Sequence, residues 1–468
     1  MHRFNTLLFG LAAALGMTFA TPIFAQETNF MELTQASVTI PFEQFKLDNG
    51  LTVFLLRDNT LPIISVNLWF NVGSKDERSG RTGFAHLFEH LMFMGTERVP
   101  DIDILLESGG GSNNASTRED ATNYYTVAPE NMLETVLYIE ADRLSGLAKA
   151  MTPDKLNKQR DVVLNERKQS YENQPYGKIW LELPGILYPE GHPYAHSVIG
   201  DVADIQSATV EDVVDFFNTY YVPANASLVV AGDFETEKAK SLIHQYFAPI
   251  PARPAPAPIA IAQLTHPQKN RVTLEDNVQL PRLVMLWHSP AFLSAGDAEL
   301  DILSSILSKG KNSRLVNKLV YEKQMASSVQ AGQISSRASM FMIDAVPLPN
   351  VPIETLEQAI LDELRDIVAN GVSEEEFAKT KNSIETSYIK QLQSIGSRAD
   401  NFNNYYFYSG STSFPAADLE RYHKATRETL LAISREIFSD DSRRATVIVV
   451  PAKNASLPIA EQEASDAP

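Results

Sequence analysis

Five residues in the run RTGFAHLFEHLMFMG (81–95) have the types and spacing for metal chemistry: His86-Leu87-Phe88-Glu89-His90. The surrounding residues are mostly good helix formers and the run ends at Gly95, so a helix is expected here. On a helix, imidazoles four residues apart share one face and both reach a single cation. Glu89, three residues from His86, projects to the same side, within reach of a water on that cation. Two neutral imidazoles leave a borderline-soft ion such as Zn²⁺ short of at least one ligand. The chain has no cysteine, so that ligand is expected to be a carboxylate.

The segment MTPDKLNKQRDVVLNERKQSYEN (151–173) begins with Thr-Pro-Asp, a helix-start signal, and continues in strong helix formers. It offers Asp161, Glu166 and Glu172, and spacing alone does not choose among them. The apolar residues around the motif imply a largely buried helix, where an unpaired glutamate is costly.

These residues must be positioned by a sizeable scaffold. The chain has 468 residues, 44% hydrophobic and 21% charged, the composition of a globular protein long enough for more than one domain. Its 40 Lys and Arg against 58 Asp and Glu give a net charge of −18, which repels a phosphate backbone. No basic patch offsets this, so nucleic acid is not expected as a partner. Residues 1–25 read as a signal peptide: a short basic start, an apolar stretch from about Leu7 to Ala20, and small residues before a cut after Ala25. That stretch is shorter than the ~20 residues needed to span a bilayer, and no later segment is long and apolar enough. Export to the periplasm is expected, with secretion as second choice.

After the signal, a structured block is expected over 40–249, a proline-rich linker over 250–268, a second block over 269–451 and a disordered acidic tail over 452–468. The blocks share an order of elements. The first opens on FKLDNGLTVFLL, a hairpin signalled by Asn49-Gly50, then runs from the strand ISVNLWFNV into the motif helix. The second runs from RLVMLWHSP into AELDILSSILSKG. Both close with a helix followed by a strand. The expected fold class is α+β: two homologous α/β-sandwich domains, duplicated and facing each other across a cleft.

With these residues in view, the chain resembles the pitrilysin family of zinc peptidases, the inverzincins, which includes the mitochondrial processing peptidases and insulin-degrading enzyme. The resemblance rests on H-x-x-E-H followed 76 residues later by the glutamate of VVLNERK, and on HPYAHSVIGD and YYVPANASLVVAGDF. It implies His86, His90 and Glu166 as ligands of one Zn²⁺ per chain and Glu89 as general base. Ser112-Asn113-Asn114-Ala115-Ser116-Thr117 matches the family's S-x-N-A-x-T edge strand, where Asn114 and the Ala115 backbone would pair with an extended peptide substrate. Without the resemblance, GGGSNNAST reads as a flexible loop.

Two departures stand out. Gln159 occupies the place of a supporting acid seven residues before the ligand glutamate, which weakens the expected carboxylate support. In the second block, Val320 and Ser327 stand where many members carry an Arg and a Tyr that help bind substrate, and Arg314 is not that Arg. Asp301, Ser304 and Ser305 stand where a second metal motif would be, so the second block is expected to be non-catalytic. The resulting expectation is a zinc endopeptidase for extended or unfolded peptides. It would work with a homologous partner subunit that supplies the Arg/Tyr pair, or else as a homodimer. The alternatives are a non-catalytic family scaffold, and a peptide-binding or chaperone-like subunit with structural zinc.

Overall fold

Apolar residues alternate with polar ones along Ile63–Phe70: Ile64, Val66, Leu68 and Phe70 enter one core, while Ser65, Asn67 and Trp69 point the other way yet are also buried. A strand buried on both faces needs cover on both, and that requirement organises the molecule. The computed structural model describes residues 38–452; the expected signal peptide and the expected tail beyond 452 lie outside the described residues.

The first sheet contains β1 (Glu43–Lys46), β2 (Thr52–Arg57), β3 (Ile63–Phe70), β4 (Ser112–Thr117), β5 (Thr122–Pro129) and β6 (Ala226–Gly232), in the order β1-β2-β6-β3-β5-β4. The second contains β7 (Arg271–Asp276), β8 (Arg282–His288), β9 (Ala326–Ile334), β10 (Met340–Pro347) and β11 (Arg444–Pro451), in the order β7-β11-β8-β10-β9. Without β1 the two orders are the same. Each has one parallel pair, β2 with β6 and β7 with β11, and is otherwise antiparallel. Such a mixed order repeated in sequence is the mark of duplication, and the α+β class holds. The expected hairpin forms at β1–β2, with Gly50 at φ +97 and the Asn49 amide donating to Phe247 O and Ile250 O.

Between the sheets in sequence, residues 251–264 contain no helix or strand. The halves are nevertheless interlocked, because each lends a helix to the other's sheet. Helix Lys178–Leu187, from the first half, sets Ile179, Leu183, Ile186 and Leu187 against Val284, Leu286, Val447 and Val449 of the second sheet. Helix Ile395–Ser409, from the second half, covers the outer face of the first: Phe402 and Tyr406 pack on Phe54, and Phe407 on Trp69.

Polar contacts fix that second helix in register. Asn403, fully buried, donates to Asn67 Oδ1 at 2.9 Å and accepts from Ser227 Oγ at 2.6 Å. Asp400 accepts from Asn67 and Asn123. Replacing Asn403 with Ala strands these groups, and a loss of about 1–3 kcal/mol is expected in denaturant unfolding. A loss below a few tenths would mean that the helix is held by its aromatic residues alone.

Candidate metal centre

The H-x-x-E-H motif lies on helix Phe84–Leu91. Its N-cap, Gly83, has φ +81, and a Cβ there would meet Ile199 O at 2.6 Å, so only glycine lets the loop before Gly200 close over the helix start. Glu77 caps this end from outside the helix, accepting from Gly83 N at 2.8 Å and Ala85 N at 2.7 Å. A carboxylate suits the positive end of the helix dipole. Phe84, Ala85, Leu87, Phe88 and Leu91 are buried in the first core, while His86, Glu89 and His90 form the half-buried face.

The third residue arrives on helix Pro153–Arg167. Thr152 caps it, with Pro153 in the first turn, and it continues into a wider turn at Lys168–Glu172. Leu156 and Val163 anchor it in the same core, and Lys155 Nζ donates to Gly95 O at 3.0 Å, tying it to the end of the motif run.

These two helices bring His86, His90 and Glu166 together. His86 Nε2 lies 3.3 Å from His90 Nε2, Glu166 Oε1 lies 3.7 Å from His86 Nε2, and Glu166 Oε2 lies 3.2 Å from His90 Nε2. Ligands about 2.0–2.1 Å from a tetrahedral zinc stand roughly 3.3–3.4 Å apart, so the two ring nitrogens have the spacing that ion requires, and a Glu166 oxygen lies near each of them. Burial, with His90 beside it, pushes the His86 imidazole down to about 4, which keeps it neutral as a ligand must be. The hydrogen bond with His90 holds the Glu166 carboxyl below its ordinary value. His86 Nδ1 is buried with no hydrogen-bond partner among the described residues, the ring nitrogen left to carry the proton. The residues present therefore fit zinc.

The rival acids are engaged or remote. Glu172 accepts from Arg167 Nε at 3.0 Å, and Asp161 is exposed. Gln159 turns its amide to Met94 Sδ at 2.7 Å and gives the triad no hydrogen bond.

Glu89 sits beside the triad without joining it. Burial raises its carboxyl, an effect opposed by a 2.5 Å hydrogen bond from Thr117 Oγ1. Two neighbouring carboxyls are thus pushed in opposite directions, Glu89 up by burial and Glu166 down by its hydrogen bond with His90. Thr117 was not singled out in the sequence for this contact; its place at the end of the S-x-N-A-x-T match was the available signal.

Thr117 also closes β4, which among the described residues is the edge strand of its sheet and pairs only with β5. The loop reading of GGGSNNAST is thus replaced by a strand over Ser112–Thr117. Asn114 Oδ1 accepts from Ala115 N at 2.8 Å, so Asn114 occupies the Ala115 amide that a paired peptide would use.

In the second half, the half-buried positions of helix Asp297–Ser308 repeat the motif spacing at Asp301, Ser304 and Ser305. Gln333 and Tyr422 engage Asp301, so no metal group recurs there among the described residues. Val320 packs against the second core, Ser327 Oγ bonds Val346 O, and Arg314 is clamped by Glu376 at 2.7 Å.

Two sheets of matching strand order, with one His–His–Glu group among the described residues, are the features to be compared with known proteins. Residues 52–181 match the insulinase (peptidase family M16) profile, and residues 207–384 match the peptidase M16 inactive domain. The chain belongs to peptidase family M16. It is 29% identical over 405 residues to the zinc protease PqqE of Helicobacter pylori, covering 85% of this chain and 88% of that protein. It is 22% identical to a probable mitochondrial-processing peptidase subunit beta of Arabidopsis thaliana, covering 79% of this chain and 70% of the other. The crystal structure of a protease from Helicobacter pylori superposes with a TM-score of 0.79 at 28% identity, over 88% of this chain and 99% of that one.

Proposed function

We propose that this chain is an exported zinc endopeptidase that hydrolyses extended or unfolded peptides. The observation that carries the reading is the convergence of His86, His90 and Glu166 beside the half-buried carboxyl of Glu89, next to the edge strand of the sheet. Zinc, when bound, supplies Lewis acidity that polarises the scissile carbonyl and acidifies a water. His86, His90 and Glu166 would hold the ion, and three protein ligands are the number found in catalytic rather than structural zinc sites. Asn114 releases the Ala115 amide, and β4 aligns the peptide by backbone pairing, a largely sequence-independent mode. Glu89 takes the proton from the attacking water and passes it to the leaving amine, while Thr117 holds the carboxylate in place.

The proposed division is a signal peptide over 1–25, a catalytic domain over 40–249, a linker over 250–268, a homologous non-catalytic domain over 269–451 and a tail over 452–468. No helix among the described residues is long and apolar enough to cross a membrane. The periplasm is the proposed compartment. A homologous subunit bearing the Arg and Tyr that Val320 and Ser327 replace is the proposed partner.

The ligand assignment is tested by comparing two carboxylates. Glu166→Gln should release zinc in a chelator competition, while Glu172→Gln, which loses only the Arg167 contact, should keep it. The reverse result would move the third ligand to Glu172.

A further inference from the structure

The motif positions of the second half, Asp301, Ser304 and Ser305, line a cavity of about 320 Å³. Helix Glu374–Gln391 walls it with Ser387, Tyr388 and Gln391, and helix Ile395–Ser409 with Asn401, Asn404 and Tyr405. On that last helix, Asn401, Asn404 and Tyr405 share one face, while Phe402, Asn403, Tyr406 and Phe407, which meet the first sheet, take the opposite face. The cavity is therefore separate from the contact between the halves. Small-molecule sites occupy roughly 300–1,000 Å³, so this space has room for one small ligand.

The charged groups on its walls are already matched. Arg421 Nε donates to Asp418 Oδ1 at 2.9 Å, and Arg421 Nη1 to Asp297 Oδ2 at 2.6 Å. Tyr388 Oη donates to the other Asp418 oxygen at 3.0 Å. Both Asp301 oxygens are engaged, by Gln333 Nε2 at 2.9 Å and Tyr422 Oη at 2.8 Å. Lys309 is exposed to solvent. A ligand anion would meet Asp301 and Asp418, and a ligand cation would meet Arg421.

The group left without a partner is neutral. Asn404 Oδ1 is buried and has no hydrogen-bond partner among the described residues. A buried acceptor without a donor is costly. Asn401 adds a second carboxamide one turn earlier, and Ser305 adds a hydroxyl from another helix. Carboxamides and hydroxyls both donate and accept, so they match a ligand whose own groups do both. The rings of Phe292, Tyr405 and Phe414 supply apolar surface on the same walls. A sugar ring has this combination: neutral hydroxyls around its rim and C–H bonds on its faces.

We propose that this cavity is a binding site for a neutral, polyhydroxylated small molecule of the sugar class, with Asn404 as its central hydrogen-bonding residue. The proposal does not rest on the peptidase reading, and its test needs no catalysis. The full chain is titrated by calorimetry with glucose, N-acetylglucosamine and maltose, then with glucose 6-phosphate, glucosamine and the uncharged peptide N-acetylglycinamide. At least one neutral sugar should bind saturably, and the charged sugars and the peptide should bind more weakly than it does. Asn404→Leu should weaken that sugar about tenfold, the effect of leaving one buried hydrogen bond unmade. Ser305→Phe, which fills the cavity from the other helix, should abolish binding, while Glu190→Gln on the exposed surface should leave it unchanged. If Asn404→Leu fails to fold, Ser305→Phe decides. The proposal is overturned if no sugar binds saturably, which would mean that water alone satisfies Asn404. Preference for a charged sugar or for the peptide would overturn the ligand class. Undiminished sugar binding by Ser305→Phe would overturn the location.

Discussion

Replacing Glu89 with Gln should leave zinc bound at the wild-type stoichiometry and reduce peptide hydrolysis by roughly 10²- to 10⁴-fold, the span of general-base catalysis. The amide keeps the size of the carboxylate and can still accept from Thr117 Oγ1, so the strand end at Thr117 should not move. What it cannot do is take a proton from water. The loss should therefore fall on kcat, with KM little changed. Glu89 does not belong to the group of three ligand atoms, so metal binding should be indifferent to the change. A loss of less than about tenfold would contradict the role, and a loss of zinc would place Glu89 among the ligands.

Mixing this chain with a homologue that lacks the metal motif and keeps the Arg/Tyr pair should raise kcat/KM by orders of magnitude. Val320 is packed into the second core and Ser327 is committed to Val346 O, so neither offers a substrate what a long cationic or phenolic side chain would. Arg314 cannot stand in, because Glu376, Glu363 and Asp366 surround it. Positioning contributes to rate as directly as proton transfer does, so the chain alone is expected to cleave slowly. Full activity of the purified chain, with no response to the homologue, would mean that a homodimer or a monomer is sufficient.

The metal helix was legible because metal chemistry compresses into local spacing: two imidazoles and a carboxylate at i, i+3 and i+4 need only one helix to converge. The third candidate ligand was not legible from spacing. Glu166, Asp161 and Glu172 share one segment, and only the packing of Leu156 and Val163 against the motif helix turns Glu166 inward. Edge strand β4 was hidden by composition, since Gly, Ser and Asn favour turns; its pairing with β5 is a tertiary event. The duplicated order of strands could be read from the two closing helix–strand units. The exchange of helices could not, because Lys178–Leu187 and Ile395–Ser409 each cover a sheet about a hundred residues or more away in sequence, and local periodicity does not name the surface a helix will cover.

The most direct test of the central claim is the metal content, by elemental analysis, of the purified wild-type chain beside a variant carrying both His86→Ala and His90→Ala. The account predicts about one zinc per wild-type chain and essentially none in a folded double variant, since both histidines lie on the half-buried face of a helix whose apolar residues carry the packing. Stoichiometric zinc retained without either histidine would contradict it.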